Sequence, residues 1–119
     1  MSDMRGIGID LCEISRMQEL LDSGHSLRRL FSEEEQAYIM SKGATAAQTM
    51  AGLYAAKEAV LKALGTGMSV AMTDIRITHT PLGQPQVTLT GKAAEIGGCI
   101  HLSITHEGGM AAAFAVCES

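Results

Sequence analysis

The segment at residues 45–64, TAAQTMAGLYAAKEAVLKAL, most constrains the fold, because small and apolar side chains recur there at helical spacing. The pattern predicts one long helix. Thr45 and Gln48 are spaced as a capping box at its start, and Gly65 favours the left-handed backbone that ends a helix. The alanines and Gly52 make one side narrow and suited to close packing on a sheet. The broader apolar stripe consists of Met50, Leu53, Tyr54, Leu61 and Leu64.

The chain before this helix predicts one strand and two shorter helices. Apolar residues alternate over 4–11, which is typical of a strand. Apolar spacing then predicts a helix that ends near Gly24. A further helix in 31–42 opens with a capping box, in which Ser32 caps the first turn and Glu35 reaches back.

After the long helix the hydrophobic period changes to two. We expect strands on both sides of a turn at 80–85, a short helix at 91–97, and two more strands joined by a turn at 107–109. The order favours an α+β class: a small single domain over residues 1–119, with a mainly antiparallel sheet packed against a long central helix. The predicted strands of this half lie at 74–79, 86–90, 100–105 and 110–116.

Composition excludes several classes of function. Hydrophobic residues make up 46% and charged residues 18%, as in globular proteins. With no Trp, 3% aromatic residues and a net charge of −4, we expect no nucleic-acid partner. Neither a signal-peptide pattern nor a membrane-length apolar run is present, so we expect a cytoplasmic protein without a membrane partner. The odd number and wide spacing of the cysteines favour buried thiols over disulfides or zinc ligands. These residues are Cys12, Cys99 and Cys117.

Carboxylates and lysines in unusual places suggest a site. Asp10 lies in an apolar strand, where a carboxylate needs a partner, although it could simply cap the next helix. Glu58 and Lys62 are four apart and could form a surface pair. Lys57 falls near the apolar stripe. With the glycine-rich turn at 64–67, these residues have the composition of a magnesium–phosphate site.

Five stretches in one order resemble a known family. They are GIGIDLCEISR (6–16), AGLYAAKEAVLKALGTG (51–67), the DI-x-I stretch at 74–77, GQP (83–85) and LSITHE (102–107). Together they resemble the 4′-phosphopantetheinyl transferases of the acyl-carrier-protein synthase type over nearly the whole length.

The Gly6-x-Gly8 spacing alone is weak evidence for a dinucleotide-binding site, because a third glycine and a following helix are missing.

The resemblance implies an activity. Coenzyme A would donate its phosphopantetheine arm to a serine of an apo acyl carrier protein in fatty acid biosynthesis, releasing adenosine 3′,5′-bisphosphate and requiring Mg²⁺. It also implies a homotrimer with active sites at subunit interfaces. The group that accepts the serine proton stays open between Glu58 and a water on the metal.

The resemblance also assigns site residues. It makes Asp10 and Glu58 the metal ligands, with Glu58 and Lys62 catalytic. It places Arg16 at the acidic carrier protein. Arg28, in the basic stretch that follows, is a second candidate contact, because this chain is acidic too and docking needs a local basic ridge. The residues that it places around the coenzyme are Asp10, Lys57, Lys62, Gly65, Thr66, Gly67, Pro85 and His106.

One departure from the family pattern stands beside these matches. The family commonly has Arg-Phe before Ala-Ala-Lys-Glu, and this chain has Leu53-Tyr54, so coenzyme affinity or the trimer interface could differ. Two other classes of function are compatible with parts of the sequence. A non-catalytic module that holds coenzyme A or a nucleotide is disfavoured by the intact ligand set. An oligomerisation domain leaves the clustered charges of the long helix without a purpose.

Overall fold

The fold joins five strands and five α-helices over the part of the chain that the structure describes. The structure, a computed structural model, describes residues 3–25 and 27–119, the side chain of Met68 excepted. The strands are β1 (Met4–Glu13), β2 (Ile75–His79), β3 (Pro85–Leu89), β4 (Cys99–Glu107) and β5 (Met110–Glu118). The helices are α1 (Ile14–Ser23), α2 (Leu27–Leu30), α3 (Glu33–Met40), α4 (Ala46–Leu64) and α5 (Gly91–Ile96).

The strands form two antiparallel sheets. β5 lies between β1 and β4 in a three-stranded sheet, whereas β2 and β3 form a separate hairpin. In the larger sheet Asp10 is opposite Ala113, which is in turn opposite Ile104. The predicted α+β class, with antiparallel strands against a long helix, is confirmed, but the strands are divided between two sheets.

Helix α4 lies directly on the larger sheet because glycines face it. A Cβ atom on Gly6 would collide with the carbonyl oxygen of Ala63, and one on Gly8 with the carbonyl oxygen of Ala59. Gly52 allows the same approach to β4, where its Cβ would lie 2.9 Å from an isoleucine methyl group. The narrow side predicted for α4 therefore packs on the sheet, and β1 approaches the helix backbone closely.

The outward face of β1 is apolar and exposed. Ile7, Ile9 and Leu11 are 56%, 64% and 65% exposed, and Phe114 of neighbouring β5 is 43% exposed. The residues between them point at α4 instead, so Asp10 lies on the helix side of the strand, with Gly8. The alternation predicted the strand but gave no indication of which face would be covered.

Helix boundaries test the capping predictions. The capping box of α3 is confirmed: Ser32 Oγ accepts from the amide of Glu35, and Glu35 Oε1 accepts from the amide of Ser32. The box predicted at Thr45 is wrong, because a 3-10 turn at Gly43–Thr45 precedes α4 and the Thr45 hydroxyl donates to the Lys42 carbonyl instead. Gly65 ends α4 with φ 75°, as predicted.

No helix within residues 3–25 and 27–119 is long and apolar enough to cross a membrane.

All three cysteines have free thiols. Burial raises the pKa of Cys12. Cys117 is also buried, but Cys99 is exposed, so the expectation of buried thiols is wrong for that residue.

Candidate active site

Strand β1 and helix α4 meet at a pair of opposite charges. The Lys62 ammonium donates to the Ile9 carbonyl at 2.8 Å and to Asp10 Oδ1 at 3.3 Å. The Asp10 side chain is 20% exposed and that of Lys62 is 54% exposed. Asp10 does not cap the next helix, whose N-cap residue is Glu13. The carboxylate in the apolar strand is therefore partnered by a lysine 52 residues away.

Glu58 lies one turn before Lys62, on the same side of α4, and is partly buried. Tyr54 lies one turn earlier still. Burial, and then the negative charge of Glu58, raise the pKa of Tyr54. The Arg16 guanidinium of α1 lies 5.8 Å from the Tyr54 ring centroid. Lys62 pairs with Asp10 and forms no ion pair with Glu58 among the described residues, so the surface-pair interpretation is wrong.

The turn after α4 carries an unpartnered hydroxyl. Gly65 and Gly67 both have positive φ, 75° and 59°, which only glycine adopts readily. Between them, Thr66 Oγ1 is buried and has no hydrogen-bond partner among the described residues. A buried hydroxyl without a partner is costly, so this atom is suited to receive a ligand or a second chain.

Lys57 corrects one part of the predicted site. Its side chain is completely buried, and its ammonium donates to Glu35 Oε1 at 2.7 Å, the Met72 carbonyl at 2.9 Å and the Ile75 carbonyl at 2.7 Å. Burial lowers its pKa, and the Glu35 carboxylate opposes that effect. All three donors are used inside the core, so Lys57 has no donor left for a phosphate of the coenzyme.

Pro85 and His106 share a cavity of about 190 Å³. The Gln48 amide lies 3.2 Å from His106 Nε2. At the same cavity the His79 ring is stacked on the Tyr38 ring, with centroids 4.2 Å apart. The lining comprises Tyr38, Gln48, Thr49, Gly52, Leu53, His79, Gly83, Pro85, Ile104 and His106.

The cavity and the Asp10–Lys62 pair are on different sides of α4. Leu53 lines the cavity and precedes Glu58 by five residues, which places the two side chains roughly 140° apart around the helix axis. None of Asp10, Glu58 and Lys62 lines the cavity. The structure thus brings the predicted site residues together in two groups, not one.

The two predicted carrier contacts lie on separate helices. Arg16 is exposed on α1, next to the Glu58 side of α4. Arg28 is exposed on α2 and lines a second, open groove together with Arg76 of β2. Two glutamates, Glu33 and Glu34, line the same groove, so its charges are mixed.

Several residues near the site are not predicted from the sequence. Gly6 and Gly8 bring β1 against α4, and the available signal was their place on the Asp10 face of the strand together with alanines four apart on α4. The sequence predicts that Gln48 caps α4, yet its side-chain amide contacts His106 instead. Nothing in the local pattern linked His79 to Tyr38, since 41 residues separate the two rings.

The donor set fits magnesium. Mg²⁺ in proteins is commonly held by one or two carboxylates, with waters and substrate phosphates completing the shell. Asp10 and Glu58 offer two carboxylates from adjoining elements, and the Lys62 ammonium lies beside Asp10. Within residues 3–25 and 27–119 no three His, Cys, Asp or Glu side chains form a metal-binding group.

Comparison with known proteins identifies the family. Residues 6–117 match the family described as the 4′-phosphopantetheinyl transferase superfamily. A curated relative from Treponema denticola, holo-[acyl-carrier-protein] synthase, is 41% identical over 119 residues, covering 95% of this chain and 97% of that protein. The chain therefore belongs to the 4′-phosphopantetheinyl transferase superfamily, as an enzyme of the acyl-carrier-protein synthase type.

Solved structures give the same result for the fold. A holo-(acyl-carrier-protein) synthase from Bacillus anthracis, in complex with CoA (3′,5′-ADP), is 34% identical with a TM-score of 0.82, covering 98% of this chain and 97% of that one. The Helicobacter pylori enzyme in complex with coenzyme A is 30% identical with a TM-score of 0.81, covering 93% and 98%. Both likenesses extend over nearly the full length of each chain.

Proposed function

We propose that this chain transfers the 4′-phosphopantetheine group of coenzyme A to a serine of an apo acyl carrier protein, with Mg²⁺, in fatty acid biosynthesis in the cytoplasm. The products are holo carrier protein and adenosine 3′,5′-bisphosphate. We further propose that residues 1–119 act as one transferase domain. One observation supports this function most strongly: the Lys62 ammonium contacts both the Ile9 carbonyl and Asp10, and so joins the two main family motifs.

Asp10 and Glu58 would hold the magnesium ion. When bound, Mg²⁺ supplies positive charge that neutralises the pyrophosphate during transfer. Lys62 places its exposed ammonium beside Asp10, where it stabilises charge on the same phosphates. Glu58 is partly buried beside Tyr54, and it is the candidate among this chain's residues for accepting the serine proton.

Two parts of the chain support coenzyme binding. The Thr66 hydroxyl, buried and unpartnered among the described residues, is a donor for a phosphate next to Gly65 and Gly67. The cavity beside Pro85 and His106 suits another part of the coenzyme, since it combines apolar walls with polar groups. The Helicobacter pylori relative is in complex with coenzyme A, and the Bacillus anthracis relative is in complex with CoA (3′,5′-ADP).

We propose a homotrimer with the active site at each subunit interface. The two groups of site residues lie on different sides of α4, so one chain does not bring them together. The exposed apolar face of β1 and β5, made of Ile7, Ile9, Leu11 and Phe114, is suited to burial against a second copy. A neighbouring subunit can then place its cavity beside Asp10 and Glu58 of this one.

Arg16 and Arg28 are the proposed contacts for the acidic carrier protein. Arg16 lies on α1 next to the Glu58 side of α4, so a carrier docked there presents its serine near the metal ligands. Positive charge at these contacts is required because this chain is acidic, as is the carrier that the resemblance implies, and electrostatic steering then favours docking.

Replacing either carboxylate tests the proposal. In Asp10→Ala and in Glu58→Ala we expect modification of the carrier to be abolished while circular dichroism shows the parent fold. Glu95→Ala, at an exposed position on α5, serves as the matched control and should keep full activity. Full activity in either of the first two variants would contradict the assignment of the metal ligands.

A further inference from the structure

One wall of the Pro85–His106 cavity lies on the β2–β3 hairpin, and the opposite wall lies on β4. His79 and Pro85 are directly opposite each other in the hairpin. In the described part of the chain, however, no ladder hydrogen bonds join the hairpin to the three-stranded sheet. The distance across the cavity must therefore be set by contacts other than strand pairing.

Two buried charges make the directional contacts that hold the hairpin. Glu35 and Lys57 are the only buried charged side chains among the described residues, at 2% and 0% exposure. The Lys57 ammonium holds the chain entering β2 through the carbonyls of Met72 and Ile75. Lys57 thereby fixes the start of the hairpin to α4.

Glu35 continues the same attachment from α3. Its Oε1 accepts from Lys57 and closes the cap at Ser32, while its Oε2 accepts from the amide of Ile77 at 2.8 Å. Two residues further on, the His79 ring is stacked on Tyr38 of the same helix. The chain is thus held at position 72 before β2 and at positions 75, 77 and 79 within β2, up to the edge of the cavity.

Stability alone does not account for such a pair. Removing two charges from water carries a large desolvation cost, and apolar replacements of buried pairs are often neutral or stabilising. An ammonium with three fixed acceptors and a carboxylate with three fixed donors do, however, define positions and directions, which apolar packing does not.

We infer that Glu35 and Lys57 form a positioning pair for coenzyme binding: they fix the cavity wall on the hairpin at its distance from His106. Neither side chain lines the cavity, so both act through His79, Gly83 and Pro85. The inference rests on the proposed function, because it takes the cavity as a part of the coenzyme site.

The double variant Glu35→Gln/Lys57→Met tests the inference, because it removes both charges and keeps similar side-chain volumes. KM for coenzyme A should rise at least tenfold, while KM for the carrier protein stays within twofold of the parent value. Each protein is assayed below its own measured Tm. If the double variant does not fold in buffer alone, the parent and the variant are both assayed in sucrose, which favours the folded state, and the same split between the two KM values is expected.

A core variant separates positioning from general loss of stability. Val60 is completely buried on α4, and Val60→Ala removes only apolar atoms. Its KM for coenzyme A should stay at the parent value. Two results would overturn the inference and leave the proposed function intact. One is an equal rise of KM for coenzyme A in Val60→Ala. The other is a KM for coenzyme A in the charge variant that stays within twofold of the parent value. A parent chain that neither binds nor uses coenzyme A would overturn both.

Discussion

The Cα atom of Gly8 lies against the carbonyl group of Ala59, and no side chain fits between them. A Cβ atom on Gly8 would overlap that oxygen and lie 2.9 Å from the amide nitrogen of Ala63. This contact places β1 on the backbone of α4. It brings Asp10, two residues further along the strand, within reach of Lys62.

Gly8→Ala should therefore disrupt both the fold and the site. Because backbone atoms, not a movable side chain, occupy the space, we expect a loss of about 3 kcal/mol in the free energy of unfolding. Urea denaturation measures it, and transferase activity should fall in parallel. Gly43→Ala is the control: open space surrounds Gly43, and its positive φ alone costs about 1 kcal/mol. Equal stability losses in the two variants would refute the close packing of β1 on α4.

Reversing the charge of Arg16 should affect the carrier protein selectively. Arg16→Glu reverses the charge of one proposed carrier contact, so KM for the carrier should rise about tenfold while KM for coenzyme A stays nearly unchanged. Steady-state kinetics with each substrate varied separately gives both values. Lys92→Glu, at an exposed position on α5, carries the same charge change and should leave both KM values unaltered. Similar damage to both KM values in Arg16→Glu would contradict a role specific to the carrier.

Acid should destabilise the chain through His79. Burial, and then the positive charge of Lys42, lower the pKa of His79 from 6.5, so the unfolded chain binds a proton more readily than the folded one. The contribution of His79 to stability is therefore lost as the pH falls below 6.5 through the lowered pKa. Urea unfolding at pH 7 and pH 5 should show a smaller acid loss in His79→Gln than in the parent. His25→Gln, at an exposed histidine, should keep the parental loss, and an equal loss in His79→Gln would contradict the burial argument.

A charge on the exposed apolar face should prevent assembly. Ile9 is 64% exposed, so Ile9→Glu should leave the subunit folded but unable to bury that face against a copy. Size-exclusion chromatography with light scattering should give a trimer for the parent and a monomer for the variant, with activity lost. Met40, which is 63% exposed on α3, provides the control substitution Met40→Glu, expected to remain trimeric and active. A monomeric parent with full activity would disprove the proposed interface site.

Local patterns were sufficient for the elements and insufficient for the contacts between them. The Ser32–Glu35 box formed as predicted because both partners are within one helical turn. The box at Thr45 failed because the 3-10 turn before α4 redirects the hydroxyl, and the motif does not encode that turn.

In the predicted site, too, local patterns do not reveal the contacts between elements. The resemblance selected Asp10 and Lys62, which the fold does bring together. It also selected Lys57, whose partner Glu35 is 22 residues away in another helix, so no local pattern reveals that the ammonium is buried. Ile9 belonged to a clear strand pattern, yet period two alone does not say which face of the strand stays exposed.

The transfer reaction itself is measured by the intact mass of an apo acyl carrier protein after incubation with this chain, coenzyme A and Mg²⁺. We expect the carrier to gain the mass of one phosphopantetheine group, and EDTA to abolish the gain. A parent chain that binds coenzyme A in calorimetry but never changes the carrier's mass, for fatty-acid and polyketide carriers alike, would contradict the proposed transfer.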